Sequence, residues 1–455
     1  MILALNCGSS SIKFKLFLLS DLQVLILGSA SKVNSKGQKP VIKLVVHHDQ
    51  GQKDETSTEE EKEGMEYDAV FQRTIELIEA SLSARFHVDT QTRGETKARD
   101  VIKLVAHRVV HGGSQAEPMA LWPGHEAGLE LLDKLSEFAP LHNHRAVQVV
   151  KSCLEHLPSS KQVLLFDTLF HQTIPRHIYT YPIPIPPSPP LIPLRKYGAH
   201  GLSYASILSL LSAHLAVPAS SLSLVIAHLG SGASVCCVKD GKSLDTSMGL
   251  TPLEGLPGGT RSGSVDPALA FHAVDAAGEV VYAQGGLKLS KGEMTLNKEA
   301  GLLAVAGTSE FSAITLRAFG NDTNASEEEK ESSKLAYDLF LDRLINFVAP
   351  YITKILGSSP NAHLDGIVIS GGIGERSIQL RRDLASYLAW IGVELDDTRN
   401  EQVGRGDEGR VVWEITKDDA KIKMFVCMTD EETQCARMAK DYIKEQEGSK
   451  IRSEH

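Results

Sequence analysis

The sequence predicts an α/β protein built from two related halves. Two observations carry that reading. The chain has 455 residues, too many for one ordinary hydrophobic core. A pattern of strand, short Gly/Ser turn and strand also occurs twice, about half a chain apart, in "LALNCGSSSIKFKLF" (Leu3–Phe17) and "SLVIAHLGSGASVCCVKDGKSL" (Ser223–Leu244). Gly8-Ser9 in the first stretch echoes Gly230-Ser231 in the second. One such turn is an ordinary surface loop. Two at matching places predict related halves, each offering its turn to a shared cleft.

The elements follow in chain order. Residues 2–7 and 11–19 read as the first strand pair. "SKVNSKGQKP" and "DQGQKDETSTEEEKEG" are polar and charge-dense, and residues 30–66 are expected to be an insertion or long loop, partly disordered. "AVFQRTIELIEASL" (Ala69–Leu82) has helical apolar spacing. "VIKLVAHRVVHGG" (Val101–Gly113) is short and β-branched, a strand ending at a glycine pair. Residues 124–157 read as helical, broken near "APLHNH". "KQVLLFD" is a buried strand ending in Asp167. "YPIPIPPSPPLIP" (Tyr181–Pro193) cannot be helix or central strand and reads as a stiff connector. In the Ser223 stretch, Asp240-Gly241 is a hairpin signal. "LAYDLFLDRLINFVAPYITKIL" is an amphipathic helix with a kink expected near Pro350. "LDGIVISGGIGE" reads as strand, glycines, then Glu375, and a closing helix runs from about Glu431 to Glu445. The expected domains are 1–168 with 432–455, and 169–431.

Composition narrows the function. Hydrophobic content of 42% and charged content of 23% fit a globular protein, and a net charge of -10 argues against a nucleic-acid binder. No apolar run reaches membrane-span length. The N-terminus lacks the order of a signal peptide. None of the six cysteines forms a CxxC pair, which argues against zinc and for a reducing, cytoplasmic setting.

The two turns suit phosphate. Small residues let backbone N–H groups approach an anion, and hydroxyls add donors. The pattern is not G-x-x-x-x-G-K-[ST], so it is not a Walker loop. Gly371-Gly372-Ile373-Gly374 supplies a third glycine cluster, where an adenosine can lie flat against backbone. Arg108 and Arg261 follow a strand or a glycine-rich turn. Each is either an anion-binding fork or an ordinary ion-pair residue. Asp167 ends a strand, where a catalytic or metal-bound carboxylate is common in α/β proteins, and a helix cap is the alternative. Glu431 opens the last helix with the same alternatives. His200, between glycines in "YGAHGLS", is either a donor to a transferring phosphoryl group or structural. His107 and His111 have metal-pair spacing only on a helix, and their segment reads as a strand.

Taken together, these residues resemble the acetate kinase family, within the superfamily of acetate and sugar kinases, chaperones and actin. The resemblance spans almost the whole chain. It is carried by "NCGSSSIKF", "HRVVHGG", "APLHNH", "FDTLFHQTIP", "YGAHGLS", "HLGSGAS", "DTSMGLTPLEGLPGGTRSGSVDP", "GGIGE" and "TDEE". It implies a duplicated actin-like, ribonuclease H-like fold of two domains around a central cleft. It also implies reversible transfer of a phosphoryl group from ATP to acetate, with Mg²⁺, in a homodimer. Asn6, Ser9, Ser11 and Lys13 fall on the family's first phosphate motif, and Gly230, Ser231 and Gly232 on its second, beside His228. Glu310 and Gly371, Gly372, Ile373, Gly374 and Glu375 fall on its nucleotide positions. Arg108 and Arg261 match the arginines at the carboxylate and the transferring phosphoryl. Asp167, Asn6 and Glu431 match catalytic and magnesium-associated groups, and His200 the histidine on the phosphoryl in flight. His142 matches a further histidine of the motifs. Val110, Leu141 and Pro252 match the pocket for the acetate methyl.

The chain departs from the pattern at several positions. Ala199 replaces a Phe, which is expected to enlarge the acyl pocket and admit propionate. Tyr204 replaces the His of "GTSH", and Ser231 replaces an Asn. Ser309-Glu310-Phe311-Ser312 lacks the Arg used near the nucleotide base. The intact "GGIGE" favours a nucleotide over pyrophosphate. Two rivals are a propionate or butyrate kinase and a non-enzymatic actin- or chaperone-like ATP-binding protein.

Overall fold

A computed structural model describes residues 1–8, 11–33, 37–47, 54–86, 98–136, 143–184, 186–188, 190–282, 288–320, 322–405 and 409–453. The chain divides into two compact units, Met1–Leu169 with Asp430–His455, and Phe170–Thr429. Glu431 therefore falls with the first unit.

The first unit is built on eight strands, β1 (Ile2–Cys7), β2 (Ser11–Phe17), β3 (Val24–Ser31), β4 (Val41–Val46), β5 (Glu55–Glu60), β6 (Leu104–Val109), β7 (Met119–Leu121) and β8 (Lys161–Phe166). Their order is β5-β4-β3-β2-β1-β6-β8-β7. β1, β6 and β8 run parallel, and the remaining neighbours are antiparallel. Strand side chains alternate between faces. Leu3, Leu5 and Cys7 join Phe14 and Leu16 in a core with Val70, Phe71 and Ile78 of the helix Tyr67–Phe86 and with Val149 and Cys153 of the helix Asn143–His156. Asn6 belongs to the other face, where the helix Glu431–Ser453 packs on β1, β2, β6 and β8. That closing helix runs past the expected end at Glu445.

The 30–66 stretch departs from expectation. It contains β4 and β5, which extend the sheet. "VIKLVV" alternates buried and exposed positions as a half-covered strand should. "ETSTEE" is polar throughout and pairs only through its backbone, with its side chains mostly exposed. Arg73 from the neighbouring helix donates to Glu59 at 2.9 and 3.2 Å, and a charged edge of this kind resists pairing with other chains.

The second unit carries β9 (Leu224–Leu229), β10 (Ala233–Lys239), β11 (Lys242–Thr246), a small ribbon of β12 (Val280–Tyr282) and β13 (Lys288–Ser290), then β14 (Gly366–Ser370), β15 (Val412–Glu414) and β16 (Lys423–Cys427). The main sheet runs β11-β10-β9-β14-β16-β15, with β9, β14 and β16 parallel. Asp240 and Gly241 both adopt positive φ, 50° and 71°, in the β10–β11 turn, as the sequence signal requires. The helix Glu327–Leu356 continues through Pro350 and packs Tyr337, Phe340, Leu344, Val348 and Ile352 on one sheet face. Tyr204, Ile207 and Leu211 of the helix Gly201–Leu215 cover the other.

The two sheets share one plan. In β3-β2-β1-β6-β8 and in β11-β10-β9-β14-β16, an antiparallel three-strand meander is continued by two parallel strands. The duplicated α/β fold expected from the paired turns is present.

Candidate active site

In the first unit the expected residues meet at the ends of the parallel strands. Asn6 and Arg108 are register partners on β1 and β6, and Asp167 follows directly on β8, the neighbour of β6. Arg108 points Nε and Nη2 at the two oxygens of Asp167, at 3.3 and 2.9 Å. Its Nη1 donates to Glu431 at 2.6 Å and to the Asn6 amide oxygen at 3.3 Å. Asn6 donates in turn to Glu431 at 2.7 Å and Glu432 at 3.2 Å. Asp167 is fully buried. Burial alone would push the Arg108 pKa down, but Asp167 and Glu431 outweigh it and hold the guanidinium well above its usual range. Asp167 is thus an arginine partner at a strand end. Glu431 stands at the start of the last helix, whose cap is Asp430, accepting from Thr433 N at 3.0 Å.

The first turn sits beside this cluster. Gly8 N donates to Ser11 O at 2.8 Å, and the Tyr67 hydroxyl reaches the carbonyls of Gly8 and Ser11 at 3.3 Å each. Ser9 lies outside the described residues, as do Leu141 and His142. Lys13 is exposed, opposite Asn6 in the hairpin register. Lys15, two residues on and on the same face, bonds Asp430, and that contact, against the upward push of burial, lowers the Asp430 pKa. Val110 is nearly buried beyond β6. Its segment is clamped by Asn143, which accepts from His111 N at 2.9 Å and donates to His111 O at 2.7 Å. Gly112 presses on Phe166 so closely that a Cβ would lie 2.4 Å from the ring.

The second unit gathers a different set. Gly230, Ser231 and Gly232 turn between β9 and β10, closed by Gly230 N to Gly232 O at 3.1 Å. The glycine loop after Leu256 docks on this turn through Gly259 N to Ser231 O at 2.9 Å and carries Arg261 to it. A Cβ on Gly232 would stand 3.1 Å from Arg261 Nη1 and 3.8 Å from His200 Nε2. Burial alone lowers the Arg261 pKa, and among the described residues no carboxylate pairs with it. This is the reverse of Arg108. His200 caps the helix Gly201–Leu215 from the left-handed region, φ 58°, a position that costs a non-glycine residue on the order of 1 kcal/mol or more. Its ring lies 4.7 Å from that of His228.

The "GGIGE" turn adjoins. β14 pairs with β9 up to Ser370 opposite His228, and Gly371, at φ 78°, has room for no side chain because a Cβ would lie 2.6 Å from Leu229 O. Gly371 N donates to Glu375 at 3.0 Å, and Gly372, Ile373 and Gly374 form the first turns of the helix Gly371–Arg376. Glu310 is exposed ahead of the helix Phe311–Ala318. Pro252 is half-buried. Ala199 is 2% exposed, and its carbonyl meets His171 Nε2 at 3.0 Å.

Several supporting residues escaped sequence reading. Arg381 is 1% exposed. It donates to Gly374 O and Glu375 O at 2.8 and 2.7 Å and to Asn400 Oδ1 and O at 2.6 and 2.8 Å. Burial pushes its pKa down to about 10. Nothing in the sequence separates it from half-buried Arg382 next door. Asn143 was visible within "APLHNH", but its clamp was not.

No group of three or more His, Cys, Asp or Glu among the described residues is placed to hold a metal alone, and no described helix is long and apolar enough to cross a membrane. Comparison with known proteins agrees with the motif order. The acetokinase family profile matches residues 1–437. A probable acetate kinase of Cryptococcus neoformans is 47% identical over 441 residues, 97% of each chain, and an acetate kinase of Clostridium botulinum is 32% identical over 97% of this chain and 98% of its own. The crystal structure of a Francisella tularensis propionate kinase superposes with a TM-score of 0.74 at 30% identity, covering 97% of this chain and 99% of that one. Acetate kinase from Entamoeba histolytica gives 0.74 at 26% identity, covering 97% and 98%. With the motifs, the duplicated sheets and a profile match over nearly its whole length in agreement, the chain belongs to the acetokinase family.

Proposed function

We propose that the chain catalyses reversible, Mg²⁺-dependent transfer of the ATP γ-phosphoryl group to acetate, giving acetyl phosphate and ADP. Beyond family membership, the observation that carries this is Arg261, a half-buried guanidinium with no carboxylate partner among the described residues, converging with His200 on the Gly230–Gly232 turn. Such a group suits an anion supplied by a ligand.

Acetate is ionised at neutral pH, since carboxyl pKa values lie near ~4, and needs no general base. A carboxylate oxygen forms the new bond to the γ-phosphorus, the bond to the bridging oxygen breaks, and ADP leaves with the electron pair. The difficulty is an anion attacking a polyanion, so catalysis is positioning and charge stabilisation. In this reading Arg261 and His200 donate to the phosphoryl in transfer, and Arg108, oriented by Asp167, faces the acetate carboxylate. Val110 and Pro252, with Leu141, contact its methyl. Lys13, Ser9, Ser11, Gly230, Ser231, Gly232 and His228 hold the phosphate tail, and Glu310 and the Gly371–Glu375 turn hold the nucleoside. Asn6 and Glu431, with Glu432, offer hard oxygen donors too few to cage a cation. That suits Mg²⁺, which keeps waters and shares substrate phosphates, and bound there it would neutralise charge on those phosphates. The six cysteines are free and buried, which suits a cytoplasmic enzyme. A homodimer, implied by the family resemblance, belongs to the same proposal.

The test is a hydroxylamine trap with ATP, Mg²⁺ and acetate, propionate or butyrate in parallel. Acetohydroxamate formation is expected. No hydroxamate from any acid would reject the reading in favour of a non-catalytic ATP-binding protein. Propionate is included because the Francisella propionate kinase matches this fold as well as the Entamoeba acetate kinase does.

A further inference from the structure

Tyr204 stands where the family pattern has a histidine, and it is fully buried. Its hydroxyl meets Ser234 Oγ. The same Oγ lies 2.8 Å from His200 Nδ1, while His200 Nε2 faces the Gly232 turn and Arg261. Ser234 is also fully buried, and among the described residues its hydroxyl meets these two groups alone. A serine carries one proton, so two polarities are open. In one, Tyr204 donates to Ser234 and Ser234 donates to His200 Nδ1. In the other, His200 Nδ1–H donates to Ser234 and Ser234 to the phenol oxygen.

The first polarity is chemically stronger. A phenol, with a free pKa of about 10, is a far better donor than an aliphatic alcohol, and an imidazole nitrogen is a better acceptor than a phenol oxygen. Hydrogen bonds arranged head to tail also strengthen one another. With Nδ1 accepting, the neutral ring carries its proton on Nε2, aimed at the turn. With the opposite polarity Nε2 would present a lone pair, which repels a phosphoryl oxygen.

We infer that Tyr204 is a positioning residue that sets the tautomer of His200 through Ser234, so that a neutral His200 offers Nε2–H to the anion. It touches no substrate itself. The inference rests on the proposed kinase reading only for its effect on turnover, because the tautomer is a property of the resting protein.

The experiment is long-range ¹H–¹⁵N correlation on histidine-labelled full-length protein, with His200 assigned from the His200→Gln spectrum, together with steady-state kinetics and thermal melts. The expected wild-type signature is a pyrrole-type Nε2 and a pyridine-type Nδ1. Tyr204→Phe removes one oxygen, should keep the fold, and should let the other tautomer appear. It should lower kcat by a factor of about ten, the scale of one neutral hydrogen bond, with the KM values for acetate and ATP nearly unchanged. Tyr204→His, which restores a buried N–H donor, should recover most of kcat. Ser234→Ala breaks the chain at its centre and should match Tyr204→Phe, which guards against a packing effect at either position. A wild-type Nδ1–H tautomer, or a Tyr204→Phe protein with the wild-type tautomer and kcat, overturns the inference. The expected tautomers in a protein that phosphorylates none of the acids would leave the relay standing and reject the kinase reading.

Discussion

Arg108 and Arg261 are both expected at the chemistry, but the structure separates what their loss will do. Arg108 is held by a fully buried Asp167 and a largely buried Glu431. Replacing it by Met leaves two carboxylates facing each other without their counter-ion. Breaking one partner from a buried pair costs about 3–5 kcal/mol, and here one guanidinium serves two acids, so the upper end applies. Among the described residues Arg261 has no such dependants, and Arg261→Met should change stability by roughly 1 kcal/mol or less, the range of substitutions that break no buried network. Its cost falls on turnover. One lost transition-state donor lowers kcat by about 10²–10³, or ~3–4 kcal/mol. Urea denaturation followed by far-UV circular dichroism gives the first quantity, and hydroxamate formation the second. Both variants should lose activity, but only Arg108→Met should shift the urea midpoint strongly. Near-wild-type turnover in Arg261→Met would remove that residue from the mechanism. An unshifted midpoint in Arg108→Met would show that the carboxylates do not depend on it for burial.

Two further outcomes are expected. His107 and His171 are buried and neutral, and burial pushes both pKa values down to about 4. The unfolded chain takes up those protons near pH ~6.5, so it binds more protons than the fold between the two values. Stability is therefore full above about pH 6.5 and falls as pH drops toward 4, by up to ~1.4 kcal/mol per pH unit for each ring. His171→Gln should flatten the fall in denaturation midpoint between pH 6.5 and 4.5, and an unchanged slope would exclude His171 as a source. Arg381→Lys keeps the charge but loses the fork that holds the carbonyls of Gly374 and Glu375. It should raise KM for ATP about tenfold or more, since several charge-assisted bonds are lost, while KM for acetate changes little. A proportional rise in both would mean that Arg381 supports the unit as a whole rather than this turn.

Much of the fold was legible because its signals are local. β1 and β9 are short apolar runs ended by Gly/Ser turns, and their repetition half a chain apart exposed the duplication. β5 was illegible for the opposite reason: "ETSTEE" has no apolar face and is a strand only because β4 offers it a backbone ladder. The site shows the same division. Arg108 and Asp167 could be picked from strand ends and Asn6 from the family motif, but which partner each would take depends on register between strands offset by 57 and 102 residues and on a helix that returns from residue 431.

The shared sheet plan makes the contrast between the units chemical. At matching register positions, the first unit places Asn6 beside Arg108, and the second places His228 beside Ser370. The first pair is tied into carboxylates from β8 and the last helix, so the single positive charge of Arg108 is more than offset by the protein. The second pair contains no guanidinium and no carboxylate, and the glycines beyond it, Gly230, Gly232 and Gly371, add no side chain of their own, with Arg261 supplied from a separate loop. A polyanion gains from the second arrangement, where attraction is not cancelled before it arrives. The first arrangement holds more carboxylate than guanidinium charge, and on the proposed reading that excess suits a bound Mg²⁺. One strand order thus carries two electrostatic designs, and exchanging them by placing a carboxylate at Gly232, where a Cβ would stand 3.1 Å from Arg261 Nη1, should sharply weaken nucleotide affinity while leaving the first unit's network intact.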